Sequence, residues 1–204
     1  MRLILVRHGE TEFNLGRIMQ GHANSGLTPR GKMQAEQLAK RLSKEKIDVI
    51  YSSDLKRCED TIRPFLNKTN IQITFHRELR ERNYGIFDGE PADDFLNYMK
   101  ENGFFGDYSS KPPGGENLPE VQKRMMEKIN EILDIEHGKT ILVVTHGGAK
   151  TSFLLGLFNE VANNETYSKY SPGNTAVTVI EFDEEKNPKL IELNSIEHLE
   201  ADFD

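Results

Sequence analysis

The sequence predicts an α/β fold three layers deep, with about six strands in a mostly parallel central sheet and helices on both faces. Three observations lead there. Short β-branched runs alternate along the chain with amphipathic stretches of helical period, the pattern of parallel strands joined by crossover helices. The first and fourth runs, RLILV at 2–6 and TILVVT at 140–145, each end near a histidine followed by glycine. Two such ends meet in space when their strands are parallel neighbours. Residues 82–115 then break the alternation with seven aromatics (Tyr84, Phe87, Phe95, Tyr98, Phe104, Phe105 and Tyr108) and the cluster Pro112, Pro113, Gly114, Gly115.

In chain order, RLILV is the first strand, apolar throughout and therefore covered on both faces. LTPRGKMQAEQLAKRL is a helix, with Thr28 as N-cap, Pro29 at the first helical position and Ala35, Leu38, Ala39 and Leu42 on one face. DVIYSS at 48–53 and IQITF at 71–75 are strands of the same buried kind. Between them SDLKRCEDTIRPFLNK carries Cys58, Ile62, Phe65 and Leu66 at helical spacing, capped by Ser53 or Asp54, and Pro64 is expected to kink it or end it early. The 82–115 excursion holds its own helix at about 91–102 and reads as a lid covering the sheet edge. The stripe Val121, Met125, Ile129, Ile132 and Leu133 gives the next helix, and GGAKTSFLLGLF follows the TILVVT strand as another. TAVTVIEF at 175–182 and KLIELN at 189–194 close the sheet, and EHLEADFD at 197–204 reads as a frayed acidic tail.

The totals set limits. A chain of 204 residues suits one domain, 1–204, with the lid inserted in it. Its 26 Lys+Arg against 33 Asp+Glu give a net charge of -7, which repels nucleic acid and anionic membranes, so an anionic ligand needs a local basic cluster. Cys58 is the single cysteine, so no intramolecular disulfide forms, as suits a reducing cytoplasm. The apolar run LILV is too short for a signal-peptide core or a membrane span.

Ligands of open parallel sheets bind beyond the carboxyl ends of the strands. The first strand delivers Arg7 and His8 there, the second leads to Arg57, the third precedes Glu81, and the fourth ends at His146. Four separate strands thus bring two arginines, two histidines and a glutamate to one rim. Gly9, Gly147 and Gly148 are expected to let backbone amides approach a ligand where helices begin. A phosphate group fits such a positive pocket best.

These positions also carry a family resemblance. RHGETEFN, SSDLKRCEDTI, LRERNYGIFDGE, PPGGENL and VVTHGG, in that order, resemble the signature blocks of the histidine phosphatase superfamily, the phosphoglycerate-mutase-like fold. The resemblance implies that His8 is a phosphoryl-accepting nucleophile, that Arg7, Arg57 and His146 surround the phosphoryl group, and that Glu81 donates a proton. It also implies substrate contacts at Asn14, the backbone at Gly21, and Gly147, and places Tyr84 where the mutases have a tyrosine. No metal or other cofactor is implied. The chemistry agrees, because phosphoryl transfer is catalysed chiefly by positioning and by stabilising charge on the equatorial oxygens. The nearby arginines keep His8 unprotonated, and Glu81 must hold a proton when substrate binds, so activity should fall as pH rises past its titration.

Rival motifs fail on spacing. A cysteine phosphatase loop would need arginine at position 64, where Pro64 stands, so Cys58 reads as core. GGAKTS lacks the glycine spacing of a nucleotide-binding loop. His22, His76, His137 and His198 show no metal spacing and read as surface residues. Within the family the alternative to a phosphatase is a cofactor-dependent phosphoglycerate mutase. Against it, residues 82–115 hold only Arg82, Lys100 and Lys111 as cations, and Gly148 stands where the mutases resemble His-Gly-Asn. A non-catalytic phosphate-sensing or protein-binding module is disfavoured because every reacting group is present. The expected partner is a small phosphorylated metabolite, with some apolar or ring surface to match the lid aromatics. A homodimer paired through TAVTVIEF or KLIELN is left open.

Overall fold

Leu3, Ile4, Leu5 and Val6 are all fully buried, because the strand they form, β1 (Arg2–Arg7), lies inside a six-stranded sheet with helices on both faces. The computed structural model describes residues 1–199. Beyond β1 the elements are α1 (Glu12–Leu15), α2 (Pro29–Leu42), β2 (Val49–Ser53), α3 (Lys56–Leu66), β3 (Ile73–His76), α4 (Ala92–Glu101), α5 (Leu118–Ile135), β4 (Thr140–Thr145), α6 (Gly147–Leu157), α7 (Asn164–Tyr170), β5 (Val177–Phe182) and β6 (Pro188–Ser195), with 3₁₀ turns at Arg77–Leu79, Gly85–Phe87 and Glu197–Leu199. The strand order is β3-β2-β4-β1-β5-β6. β3, β2, β4 and β1 are parallel, while β5 runs antiparallel to both its neighbours.

Alternation along the strands splits the core in two. Leu3, Leu5, Ile141 and Val143 pack under α5 and α6, whereas Ile4, Val6, Leu142 and Val144 pack under α2 and α3. Each such side chain contributes about 1.5–3 kcal/mol on burial, which holds a strand with arginine at both ends in the middle of the sheet. Register then decides function: Arg7 stands opposite Thr145, so His8 and His146 leave the sheet at the same level. Among the described residues no helix is long and apolar enough to cross a membrane.

Several expectations change. α3 runs to Leu66 through Pro64, because Pro64 lies in its last turn, where the Asn67 N–H still reaches the Arg63 carbonyl at 3.0 Å. Its N-cap is Leu55, without a side-chain cap, because the Ser53 hydroxyl sits two residues too early: it accepts from Leu55 N at 3.3 Å and faces His146 Nε2 at 2.8 Å. β3 is not covered on both faces: it is the sheet's edge, and Phe75 is 43 % exposed. Residues 82–115 fold around α4, but they pack on the segment after β1 rather than on a strand edge. Phe87, Phe95 and Met99 close over Met19 and Tyr84, Met19 donates to Glu90 O at 2.9 Å, and Ala92 donates to Arg17 O at 2.8 Å. The tail expected at 197–204 begins as an ordered turn at Glu197–Leu199, and 200–204 lie outside the described residues. His198 is half-buried rather than a surface residue, with Nε2 3.2 Å from Thr175 Oγ1, and burial together with the Arg41 charge pushes it down to about 4.

Candidate active site

Arg7, His8, Asn14, Gly21, Arg57, Glu81, Tyr84 and Gly147 all line one cavity of about 240 Å³ beyond the carboxyl ends of the strands. Of the nine residues the sequence pointed to, only His146 stands behind it. His8 is 2 % exposed, and its Nδ1 lies 2.8 Å from Gly9 O. A carbonyl can only accept, so Nδ1 carries the hydrogen and Nε2 keeps a lone pair. Burial, then the charges of Arg57 and Arg7, push the ring's protonation well below the ordinary histidine range, so Nε2 is unprotonated at neutral pH.

His146 is fully buried, its ring centroid 5.2 Å from that of His8. Arg57 Nε donates to His146 Nδ1 at 3.1 Å, which leaves the other ring hydrogen on Nε2, 2.8 Å from Ser53 Oγ. Both nitrogens are therefore used within the protein, and His146 orients Arg57 from behind. Burial, Arg57 and His8 hold it neutral as well. Arg57, 1 % exposed, also donates to Gly21 O at 2.6 Å and Ala23 O at 2.9 Å. Three of its five N–H groups are spent on holding its plane, and two remain for a ligand. Cys58 sits in the core as expected, pushed up to about 12 by burial, an unreactive thiol.

The turn that accepts from Arg57 needs glycine: Gly21 has φ +44°, and a Cβ there would meet Asp88 Oδ1 at 1.6 Å. Asp88 in turn accepts from His22 N and Tyr84 N, each at 2.8 Å, which pins this turn to the lid segment. Asn14 Oδ1 accepts from Thr11 N and from Asn174 Nδ2, both at 3.2 Å, so the Asn14 amide NH₂ is the end left for the cavity. Arg7 donates to Pro172 O at 2.6 Å, while its Nε is buried with no partner among the described residues and lies over Gly147. An orphaned buried donor beside an unprotonated imidazole is what an anion would satisfy.

Two of the three amides expected to meet a ligand, those of Gly9 and Gly148, do something else, while Gly147 lines the cavity. Gly9 N donates to Thr61 Oγ1 at 2.8 Å. At the start of α6, which has no side-chain cap of its own, Gly148 N donates to Glu81 Oε2 at 2.9 Å and Ala149 N to Glu81 Oε1 at 2.8 Å. Glu81 is thus the cap of α6 supplied from the loop that follows β3 and the Arg77–Leu79 turn, and the helix's N-terminal dipole is spent on a carboxylate. Arg82 N donates to Oε1 as well, at 2.8 Å, so Oε2 is the oxygen with the freer lone pair. A Cβ on Gly148 would lie 2.7 Å from Oε1, and any side chain there displaces the carboxylate.

The backbone that carries Glu81 is itself clamped. Arg124 on α5 donates to the carbonyls of Glu78, Arg80 and Glu81 at 2.8–2.9 Å and pairs with Glu116 at 2.7 Å, while His22 Nε2 lies 2.9 Å from Glu81 O. His22 is therefore no plain surface residue. Burial alone would push Glu116 up, but hydrogen bonds from Arg124 and Asn83 N hold it below the ordinary carboxylate value. Arg124→Gln strands these acceptors and is expected to lower stability by about 2 kcal/mol, read as a reduced urea midpoint at unchanged slope.

Tyr167 and Ser171, in the last quarter of the chain, also line the cavity, and neither was found from the sequence. Their helix, α7, is short and polar. Its signal is a capping box in which Asn163 and Thr166 bond each other's backbone N–H. Tyr84 and Tyr167 are both raised, first by burial and then by the Glu81 charge, Tyr167 to about 12, so both remain neutral phenols. Among the described residues no group of three or more His, Cys, Asp or Glu is placed to hold a metal ion.

The two buried imidazoles predict a stability profile. Unfolded histidines titrate near 6.5, and the folded His8 and His146 titrate well below that. Below about pH 6.5 the unfolded chain therefore takes up two protons at these rings that the folded chain does not, and a third at His198, which burial pushes down to about 4 in the fold. Stability from this source is complete above pH 6.5 and is lost on acidification at about 1.4 kcal/mol per pH unit per ring. Urea unfolding between pH 6.5 and 5 is expected to follow the summed slope of the three rings, and His8→Asn to remove about a third of it.

The model of the histidine phosphatase superfamily (branch 1) matches residues 3–195. The chain belongs to that superfamily. Phosphoglycerate mutase-like protein 4 of Arabidopsis thaliana is 38 % identical over 154 residues, 72 % of this chain and 66 % of that protein. The phosphoserine phosphatase of Entamoeba histolytica, solved as a histidine-to-alanine mutant with phosphoserine, superposes with a TM-score of 0.82 at 30 % identity, covering 97 % of this chain and 98 % of its own. The alpha-ribazole phosphatase of Shigella flexneri superposes with a TM-score of 0.85 at 27 % identity, covering 96 % of both chains. This histidine phosphatase thus has the phosphoglycerate-mutase-like fold that its sequence resembled, and it shares that fold end to end with enzymes named as phosphatases.

Proposed function

We propose that the chain hydrolyses phosphomonoesters of small metabolites through a phosphohistidine on His8. The observation that carries this is the pinned His8 ring. Nδ1–H is held by Gly9 O, and Nε2 faces the cavity between Arg7, Arg57 and Asn14. In the first step the Nε2 lone pair attacks phosphorus and the bond to the leaving oxygen breaks, with Glu81 giving that oxygen its proton through Oε2. In the second, a water oxygen attacks phosphorus, the N–P bond breaks, and Glu81 takes the water's proton, which restores both groups. The guanidinium forks of Arg7 and Arg57 match the equatorial oxygens, and His146 keeps Arg57 in plane. No step needs a metal ion, and the acidic, single-cysteine chain suits a cytoplasmic metabolite rather than nucleic acid.

Hydrolysis is favoured over mutase chemistry by two features. A mutase must hold a doubly phosphorylated intermediate, yet residues 82–115 carry three cations against six carboxylates. Gly148 is also in contact range of Glu81 Oε1, so an asparagine there would require Glu81 to move. The relatives include both kinds of name, so the deciding assay is direct. Phosphate release from a panel of phosphomonoesters is expected to exceed formation of 2-phosphoglycerate from 3-phosphoglycerate, and the reverse ratio would make the chain a mutase.

A further inference from the structure

A second cavity, of about 260 Å³, adjoins the catalytic one and shares Tyr84 and Tyr167 with it as walls. Phe95, Leu96, Phe104 and Phe105 are among its other lining residues. Phe105 is 60 % exposed at this hollow, whereas Phe95 and Met99 beside it are buried and Leu96 and Phe104 half-buried. An exposed phenyl ring bordering an apolar cavity is the arrangement of a binding rim rather than of a core. The wall's charges cancel. Arg82 is its cation, with its guanidinium over the Tyr84 ring at 5.3 Å and its Nε given to Glu116 O at 2.7 Å, and Asp107 is its anion.

We infer that this second cavity is the subsite for the leaving alcohol, and that it takes an uncharged group built on one or two flat aromatic rings. The inference rests on the hydrolase reading of the adjoining cavity, since the phosphate fixes which end of the ester points where. Size sets the ring count: an apolar cavity of about 150 Å³ holds one benzene ring, so 260 Å³ holds a bicyclic group. Charge sets the rest. With no net charge in the wall and an excess of carboxylates in the lid, a leaving group bearing its own carboxylate gains nothing and loses its hydration. The aromatic faces of Tyr84 and Tyr167 reward a flat ring by offset or edge contact.

The test compares two esters whose alcohols are of similar basicity, so that chemistry does not imitate binding. These are 2-naphthylmethyl phosphate and ethyl phosphate, assayed with the wild type and with Phe105→Ser, an exposed position that does not endanger the fold. The wild type is expected to favour the naphthylmethyl ester at least fivefold in kcat/KM. Phe105→Ser is expected to cut that preference at least twofold while leaving ethyl phosphate within twofold. A smaller wild-type preference, or one that Phe105→Ser leaves intact, overturns the subsite. Should neither ester turn over, titration calorimetry with 2-naphthylmethylphosphonate and ethylphosphonate decides. Equal affinities overturn the subsite, while at least fivefold tighter naphthyl binding sustains it and overturns only the hydrolase reading.

Discussion

His8→Ala is expected to abolish turnover, lowering kcat by about 10⁴-fold or more, as loss of a covalent nucleophile does. The folded state should survive, because the ring's polar contact among the described residues is Gly9 O, and the imidazole removed is uncharged. The distinguishing measurement is a rapid quench of the wild type with radiolabelled substrate. An acid-labile, base-stable phosphoenzyme is expected in the wild type and absent in His8→Ala. A variant that retains hydrolysis, or a wild type that accumulates no such adduct when its breakdown is slowed, would remove His8 from the chemistry.

Glu81→Gln should cost about 10²- to 10⁴-fold in kcat with alkyl phosphates, the range of lost general-acid help. The loss should depend on the leaving group. A nitrophenolate departs without a proton, so p-nitrophenyl phosphate is expected to lose much less in the first step than an alkyl ester does. An equal loss with both esters in kcat/KM, which reports the first step without the shared phosphoenzyme hydrolysis, would assign Glu81 a structural role, which its capping of α6 makes a real competitor. The amide also presents an NH₂ where three backbone N–H groups converge, so a modest drop in thermal stability accompanies the kinetic effect.

Most of the fold could be read from the chain because strands buried on both faces leave a plain trace in apolar residues. RLILV and TILVVT became adjacent, in-register strands, and the residues they release became neighbours. IQITF looked the same in sequence but forms the edge, because apolar content does not record how many neighbours a strand has. Pro64 misled because its cost depends on where the helix ends, and Leu66 is that end. In the site, charged and imidazole side chains were legible one by one, while the hydrogen bonds that assign their work were not. That Gly148 and Ala149 serve Glu81 rather than a ligand, that His146 stands behind Arg57, and that Asn174 turns the Asn14 amide are facts of three-dimensional pairing between residues up to 160 positions apart. Tyr167 was missed for a simpler reason: a seven-residue polar helix has no apolar stripe to betray it.

The place of β1 has a consequence during synthesis. β1 leaves the ribosome well before the two strands that flank it in the finished sheet, β4 and β5, residues 140–145 and 177–182. At about 5–20 residues per second, its two hydrogen-bonding edges wait roughly ten to forty seconds for their partners. Throughout that interval LILV is an unpaired, sticky β-prone stretch on a nascent chain, and Arg2 and Arg7 at its ends serve as the charged gatekeepers that discourage clumping with other chains. The Arg7 guanidinium that later lines the cavity would thus first keep the polypeptide soluble.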